Sequence, residues 1–274
     1  MGNILRLMKE NHPFYEGVYQ AQTHLPESAL GTLRGRMLLP FITYGYLWDI
    51  VHYVPRGARL LELGCGSGLQ LAATRYRVTA VELSLASLEG VPVGYRHRLQ
   101  ADAGCIDFLP GTFDSIAASC FWEHIEPGKK EELLERFRRW LKPDGTLILL
   151  FDTESHNPFF RRLRRHPVLY QKCFVEHDGH VGLETVPQNL ERFARNGFTL
   201  VRGMGLNRTV QDLPVYTWIK PYGDTSEVLR VVSKTGMWLN TLPRLAMVFS
   251  SFLHAWDLTL GRAFPVSWSR LYIG

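Results

Sequence analysis

The chain has 274 residues, 46% of them hydrophobic and 21% charged, an ordinary globular composition with enough apolar material for a sizeable core. A net charge of +5 and a pI near 9.1 give a mild basic excess. No basic stripe interleaved with aromatics, and no N-P-P-Y motif, points to nucleic acid. The most apolar window, Leu245 to Trp256, is only twelve residues long and is interrupted by His254 and Asp257, which excludes a bilayer span.

In chain order, residues 1–57 read as a helical arm. ALGTLRGRMLLPFITYGYLWDIVHYV places apolar and aromatic residues at helical spacing until Pro55-Arg56-Gly57 breaks it. From residue 58 strands and helices alternate. ARLLEL is a first strand, the segment from Leu69 to Thr74 starts a helix, RVTAVEL is a second strand, and LSLASLEG is a short helix ended by Gly90. VGYRHRLQ and FDSIAASCF are the third and fourth strands. PGKKEELLERFRRWL is an amphipathic helix with Leu133, Leu134, Phe137, Trp140 and Leu141 on one face. After the Pro143-Asp144-Gly145 turn, TLILLFD is a nearly all-apolar fifth strand, as parallel strands buried on both faces are. VPQNLERFARNG is a further helix, FTLVRGMG a sixth strand and VSWSRLYIG a seventh. Residues 206–265 form a helical insertion between the last two, far longer than an ordinary connection. The fold class is α/β, a doubly wound sheet.

The loop Gly64-Cys65-Gly66-Ser67-Gly68 joins the first strand to a helix and lets a ligand approach bare backbone. A dinucleotide fingerprint places its third glycine at position 69, which is Leu69 here. Glu82 closes the second strand eighteen residues after Gly64; a carboxylate there can accept from both hydroxyls of a ribose. Asp102, just past the third strand, is either an ordinary loop acid or the acceptor for an exocyclic amine such as that of adenine.

Taken together, E-L-G-C-G-S-G, V-T-A-V-E-L-S, A-D-A, F-D-S-I-A-A-S and L-K-P-D-G-T-L-I-L-L resemble the motifs of class I S-adenosylmethionine-dependent methyltransferases, strongly over residues 58–152 and more loosely to 202. The resemblance implies a seven-stranded Rossmann-like sheet with an antiparallel last strand, and S-adenosylmethionine as cofactor. It implies that Glu62, Gly64, Cys65 and Gly66 surround the methionine part, that Glu82 and Leu83 meet the ribose, and that Asp102 and Ala103 meet the adenine. Ser119 to Phe121 would floor the methionine end. Arg36, with Arg34 second, corresponds to the arginine that relatives place near the cofactor's carboxylate, though a solvent-facing arginine is an equal reading. The resulting domains are the arm at 1–57, a cofactor-binding core at 58–205, the insertion at 206–265 and a last strand at 266–274.

CFWEHIEP resembles the corresponding stretch of ubiquinone-biosynthesis O-methyltransferases and makes His124 the candidate base beside Glu123. The alternative is that this pair orders the loop and starts the next helix. A second polar cluster, EHDGHVGLE, offers His177 and His180 for acceptor contact. A structural loop is the alternative, and without an established ligand spacing no metal is assigned. Phe14, Tyr15 and Tyr19 either wall an acceptor pocket or pack on the core. The expected reaction is methyl transfer to a small-molecule or lipid-linked acceptor, most readily at oxygen. The rivals are a cofactor-binding protein without catalysis and an NAD(P)-dependent oxidoreductase. The apolar insertion suits a lid, a homodimer surface, core packing or a peripheral membrane contact, and the arginine run from Arg161 to Arg165 is either a solvated helix face or a match for a phosphate-bearing or membrane-bound acceptor. Cys65, Cys105, Cys120 and Cys173 match neither a zinc nor a disulfide framework. The N-terminus lacks a signal core, and a cytoplasmic location is expected.

Overall fold

Short apolar runs alternating with polar helices build one mixed sheet. The computed structural model describes residues 4–8, 12, 13, 15, 16 and 41–274. Its strands are β1 (Ile4–Arg6), β2 (Arg59–Leu63), β3 (Arg77–Glu82), β4 (His97–Gln100), β5 (Phe113–Ser119), β6 (Leu141–Asp152), β7 (Met204–Leu206) and β8 (Leu271–Ile273). They lie in the order β1-β4-β3-β2-β5-β6-β8-β7, with β8 antiparallel to both neighbours and the other pairings parallel.

Alternation along each strand sorts side chains to two faces. Leu60, Val78, Ala80, Ala117 and Ile148 pack on one face against Tyr46 and Ile50 of α1 (Phe41–Tyr53) and Val54 just after it. Leu61, Leu63, Val81, Ile116 and Leu149 face the other way. After α2 (Gln70–Arg75) and α3 (Leu85–Glu89), α4 (Pro127–Trp140) covers that second face with Leu133, Leu134, Phe137 and Trp140, all buried. Each such large apolar side chain contributes about 1.5–3 kcal/mol by leaving water.

Beyond β6 come α5 (Pro158–Leu163), α6 (Pro167–Tyr170) and α7 (Val186–Arg195). Thr185 and Gln188 cap the start of α7 reciprocally. Between β7 and β8 stand α8 (Leu213–Trp218), α9 (Glu227–Asn240) and α10 (Pro243–Leu258). A third core forms beneath them from Phe160, Leu163, Phe174, Val215, Ile219 and Tyr222.

Three expectations change. The sheet has eight strands, because Ile4–Arg6 joins β4 within a region read as helix. Three residues carry no readable period, and pairing with a neighbour makes the strand. FTLVRGMG enters the ladder only at Met204, so 198–203 stay outside it. VSWSRLYIG pairs only at Leu271–Ile273, with Val266–Trp268 wound into a 3-10 turn after Pro265. Arg34, Arg36, Phe14 and Tyr19 lie outside the described residues.

Candidate active site

The strand order reverses between β2 and β5, which opens a crevice at their carboxyl ends. The glycine loop leaves β2 there. Gly64, Gly66 and Gly68 hold φ of 57°, 52° and 72°, values that a residue with a Cβ rarely adopts. Two acids fix this loop from below. Tyr95 donates its hydroxyl to Glu62 and accepts from the Leu69 amide at 2.7 Å. Burial pushes the Glu62 carboxyl up to about 7. Glu82 accepts from the amides of Gly66 at 3.0 Å, Leu83 at 2.7 Å and Ser84 at 3.1 Å.

Asp102 stands exposed at the next strand end and accepts from the Gly104 amide at 2.7 Å, with Ala103 buried beside it. The second Asp102 oxygen accepts from the Cys105 thiol at 3.7 Å. This donor set fits an uncharged nucleoside. Carboxylates accept from hydroxyls and amines, Glu82 retains lone-pair capacity beyond its three amides, and a bare-backbone loop lies between them. Phe121 packs against Gly64, where an added Cβ would meet its ring at 3.0 Å. Ser119 and Cys120 precede Phe121 at the end of β5, Cys120 at φ 51°.

A short 3-10 turn, Trp122–His124, presents the next polar groups. Trp122 anchors it by donating to Asn189 Oδ1 of α7 at 2.6 Å. Glu123 is fully buried and accepts from the Asp152 amide at 3.3 Å. Burial and the neighbouring Asp152 carboxylate hold Glu123 well above the usual carboxylate range. His124 Nδ1 lies 3.0 Å from the Gly179 carbonyl, its ring centroid 5.1 Å from that of His180 and 5.8 Å from that of Tyr15. Burial lowers the His124 imidazole below its ordinary range and takes His180 to about 4. Tyr15 is raised to about 12 by burial, then by the charges of Glu82, Glu123 and Asp102.

The EHDGHVGLE cluster divides. His180 joins His124, whereas His177 is exposed and its amide closes a turn on Lys172. Glu184 pairs with Lys130 at 2.9 Å and with Arg192 at 2.5 Å. Ligand atoms of Glu123, His124 and His180 lie within 4.8 Å of one another, as do those of Cys120, Glu123 and Asp152. The sequence reading missed Asp152, Arg270, Asp212 and Lys130. Arg270 is buried, pairs with Asp152, and reaches Asp212 at 3.0 Å. Asp152 had a signal, an acid ending an all-apolar strand at the ligand-binding edge; Arg270 had none.

Residues 61–149 match the family described as a methyltransferase domain. A ubiquinone biosynthesis O-methyltransferase of Xylella fastidiosa is 34% identical over 104 residues, 34% of this chain and 41% of that one. A cypemycin N-terminal methyltransferase of Streptomyces is 34% identical over 113 residues, 37% and 45% of the two chains. The chain thus spans less than half the length of these curated relatives. Among solved structures, a cyclopropane synthase of Mycobacterium tuberculosis aligns over 97% of this chain and 98% of its own, with TM-score 0.54 and 16% identity, a likeness of fold. The glycine loop, Glu82 and Asp102 thus all fall within the residues that match a methyltransferase domain, and S-adenosylmethionine is the cofactor such a domain binds.

Proposed function

We propose that the protein moves the methyl group of S-adenosylmethionine to an oxygen of a small or lipid-like acceptor, with His124 as the base. One observation carries this reading, the 3.0 Å contact between His124 Nδ1 and the Gly179 carbonyl. A carbonyl only accepts, so Nδ1 keeps the proton and Nε2 keeps its lone pair. Burial disfavours the imidazolium, so the base form prevails at neutral pH.

The bound cofactor supplies an electrophilic methyl and a neutral thioether leaving group. Gly64, Gly66, Glu82 and Asp102 would hold it. The acceptor hydroxyl gives its proton to Nε2 as its oxygen takes the methyl, and the protein's share is alignment and exclusion of water. Tyr15 and neutral His180 flank the base and suit contact with the acceptor, while buried Glu123 shapes the floor. The O-methyltransferase relatives support an oxygen acceptor. Exposed Val228, Val231, Trp238, Val248 and Phe252 on α9 and α10 support a lipid-like one, met through a peripheral membrane or homodimer contact. No helix among the described residues is long and apolar enough to cross a membrane.

The test is His124→Ala, assayed against phenolic, carboxylate and lipid acceptors. Turnover should fall at least about 100-fold with cofactor affinity unchanged by calorimetry. Equal turnover of variant and parent across pH 6–9 would remove His124 as base, and cofactor binding without turnover on any acceptor would favour a non-catalytic role. A divalent cation on Glu123, His124 and His180 is the second reading, favoured by their proximity. Loss of turnover in EDTA with recovery in magnesium would support it, and indifference to both would leave the metal-free base.

A further inference from the structure

The two long helices between β7 and β8 are apolar on two sides. On α9 the inner side, Leu229, Ser233 and Gly236, is buried, and a Cβ at Gly236 would run into the Tyr216 ring of α8. The opposite side carries Val228, Val231 and Trp238, which recur at helical spacing. On α10 the inner side holds buried Leu253 and Asp257, and Asp257 accepts from the Asn207 amide at 2.7 Å. Its opposite side carries Leu245, Val248 and Phe252. These six outward side chains are between 46% and 68% exposed. The inner sides already serve the fold, so the outer apolar sides are left for something outside it.

Charge selects the occupant. Residues 228–256 contain Arg230, Lys234 and Arg244 and no acid, although 26 of the chain's 274 residues are acidic. Residues 158–172 repeat the pattern, with four arginines, one lysine and no acid. Arg162 donates to Ser226 Oγ at 3.4 Å, so this second run stands at the amino end of α9. Arg161, Arg162, Arg165 and Lys234 are exposed and pair with no carboxylate among the described residues. The acids at that end are Asp224 and Glu227, and Glu227 is paired with Arg230.

We infer that this face rests on an anionic lipid bilayer. The outward apolar side chains would enter the headgroup boundary, with Trp238 at the interface, and the unpaired cations would meet lipid phosphates. At 14 and 16 residues, α9 and α10 are about 21 and 24 Å long, a length that lies along a bilayer and does not cross it. A second copy of the chain fits this face poorly. A two-fold contact would set these cations against themselves, with no acid in 228–256 to answer them. The same helices stand on the acceptor side of the crevice: α9 packs on Tyr216 of α8, and Trp218, two residues on, meets the His180 ring at 6.4 Å. A lipid-like acceptor would thus be met where it resides, but the surface itself does not depend on the methyltransferase reading.

The test is co-sedimentation of the full chain with vesicles of phosphatidylcholine, alone or with about 30% phosphatidylglycerol, without cofactor or acceptor. The anionic vesicles should bind at least about tenfold more tightly, and about 0.5 M salt should remove most of that preference. Arg161→Gln with Arg165→Gln should weaken binding to anionic vesicles about tenfold or more, and so should Val231→Ser with Trp238→Ser. Both double variants should keep the parent's Tm and its cofactor affinity by calorimetry. Equal binding to neutral and anionic vesicles, no binding to either, or binding that survives both double variants would overturn the proposal. So would a dimer in sedimentation equilibrium that Trp238→Ser dissociates, since a second copy would then cover the face. A chain that binds anionic vesicles in this way but moves no methyl group would support the surface and sink only the reaction.

Discussion

Single residues carry the electrostatic cost of this crevice. Glu62 sits beneath the glycine loop with its carboxyl raised to about 7 from 4.5 by burial. Between those values the folded protein binds a proton that the unfolded chain does not, so stability falls as pH rises through the interval. Glu62→Gln keeps the shape and the Tyr95 hydrogen bond but removes the charge. In the absence of cofactor, it should stabilise the protein by up to about 3 kcal/mol at pH 8, with the gap in Tm to the parent closing by pH 4–5. Equal melting at pH 8 would mean that water reaches Glu62. His124 shows the other limit. Its identity was legible from CFWEHIEP, but its tautomer was not, because the Gly179 carbonyl that sets it lies 55 residues away in sequence.

At the scale of elements, the site depends on a loop laid against a turn. The Gly182 amide donates to the Glu123 carbonyl at 2.8 Å, and its own carbonyl accepts from buried Lys130 at 2.6 Å. A Cβ at Gly182 would stand 1.9 Å from the Ile125 carbonyl oxygen. Gly182→Ala must therefore lift the loop and part His180 from His124. Turnover should drop more than tenfold and stability by about 1–3 kcal/mol, measured by acceptor assay and denaturant unfolding, with the cofactor still bound. Undiminished turnover would show that the His124–His180 approach is dispensable. The strands and α4 were readable because period and burial agree along them. The extent of β7 was not, because FTLV has strand composition but the ladder with β8 begins only at Met204.

For the whole molecule, one buried cation ties the last strand to the sheet and to the insertion. Arg270 pairs with Asp152 of β6 and with Asp212 before α8, and its guanidinium lies 5.4 Å from the Trp218 ring centroid. Removing it leaves two carboxylates buried together. Arg270→Met should cost about 3–5 kcal/mol at pH 7, less at pH 5 as Asp212, held above the usual carboxylate range by burial, takes up a proton, and Asp212→Asn in the same chain should restore part of the loss. Urea unfolding at both pH values checks this, and a deficit independent of pH would point to lost packing instead.

By itself the sequence determined the α/β alternation, the glycine loop with its early third glycine, the acids at the ends of β3 and β4, and the histidine after β5. All of these rest on short-range spacing, which a strand-loop-helix unit writes directly into the chain. Only the tertiary structure decided which polar groups face one another. It set His180 against His124, Glu123 against Asp152, and Arg270 against both Asp152 and Asp212. Contacts between residues about 30–120 positions apart leave no local pattern, because burial and pairing are properties of the folded surface and not of any window along the chain.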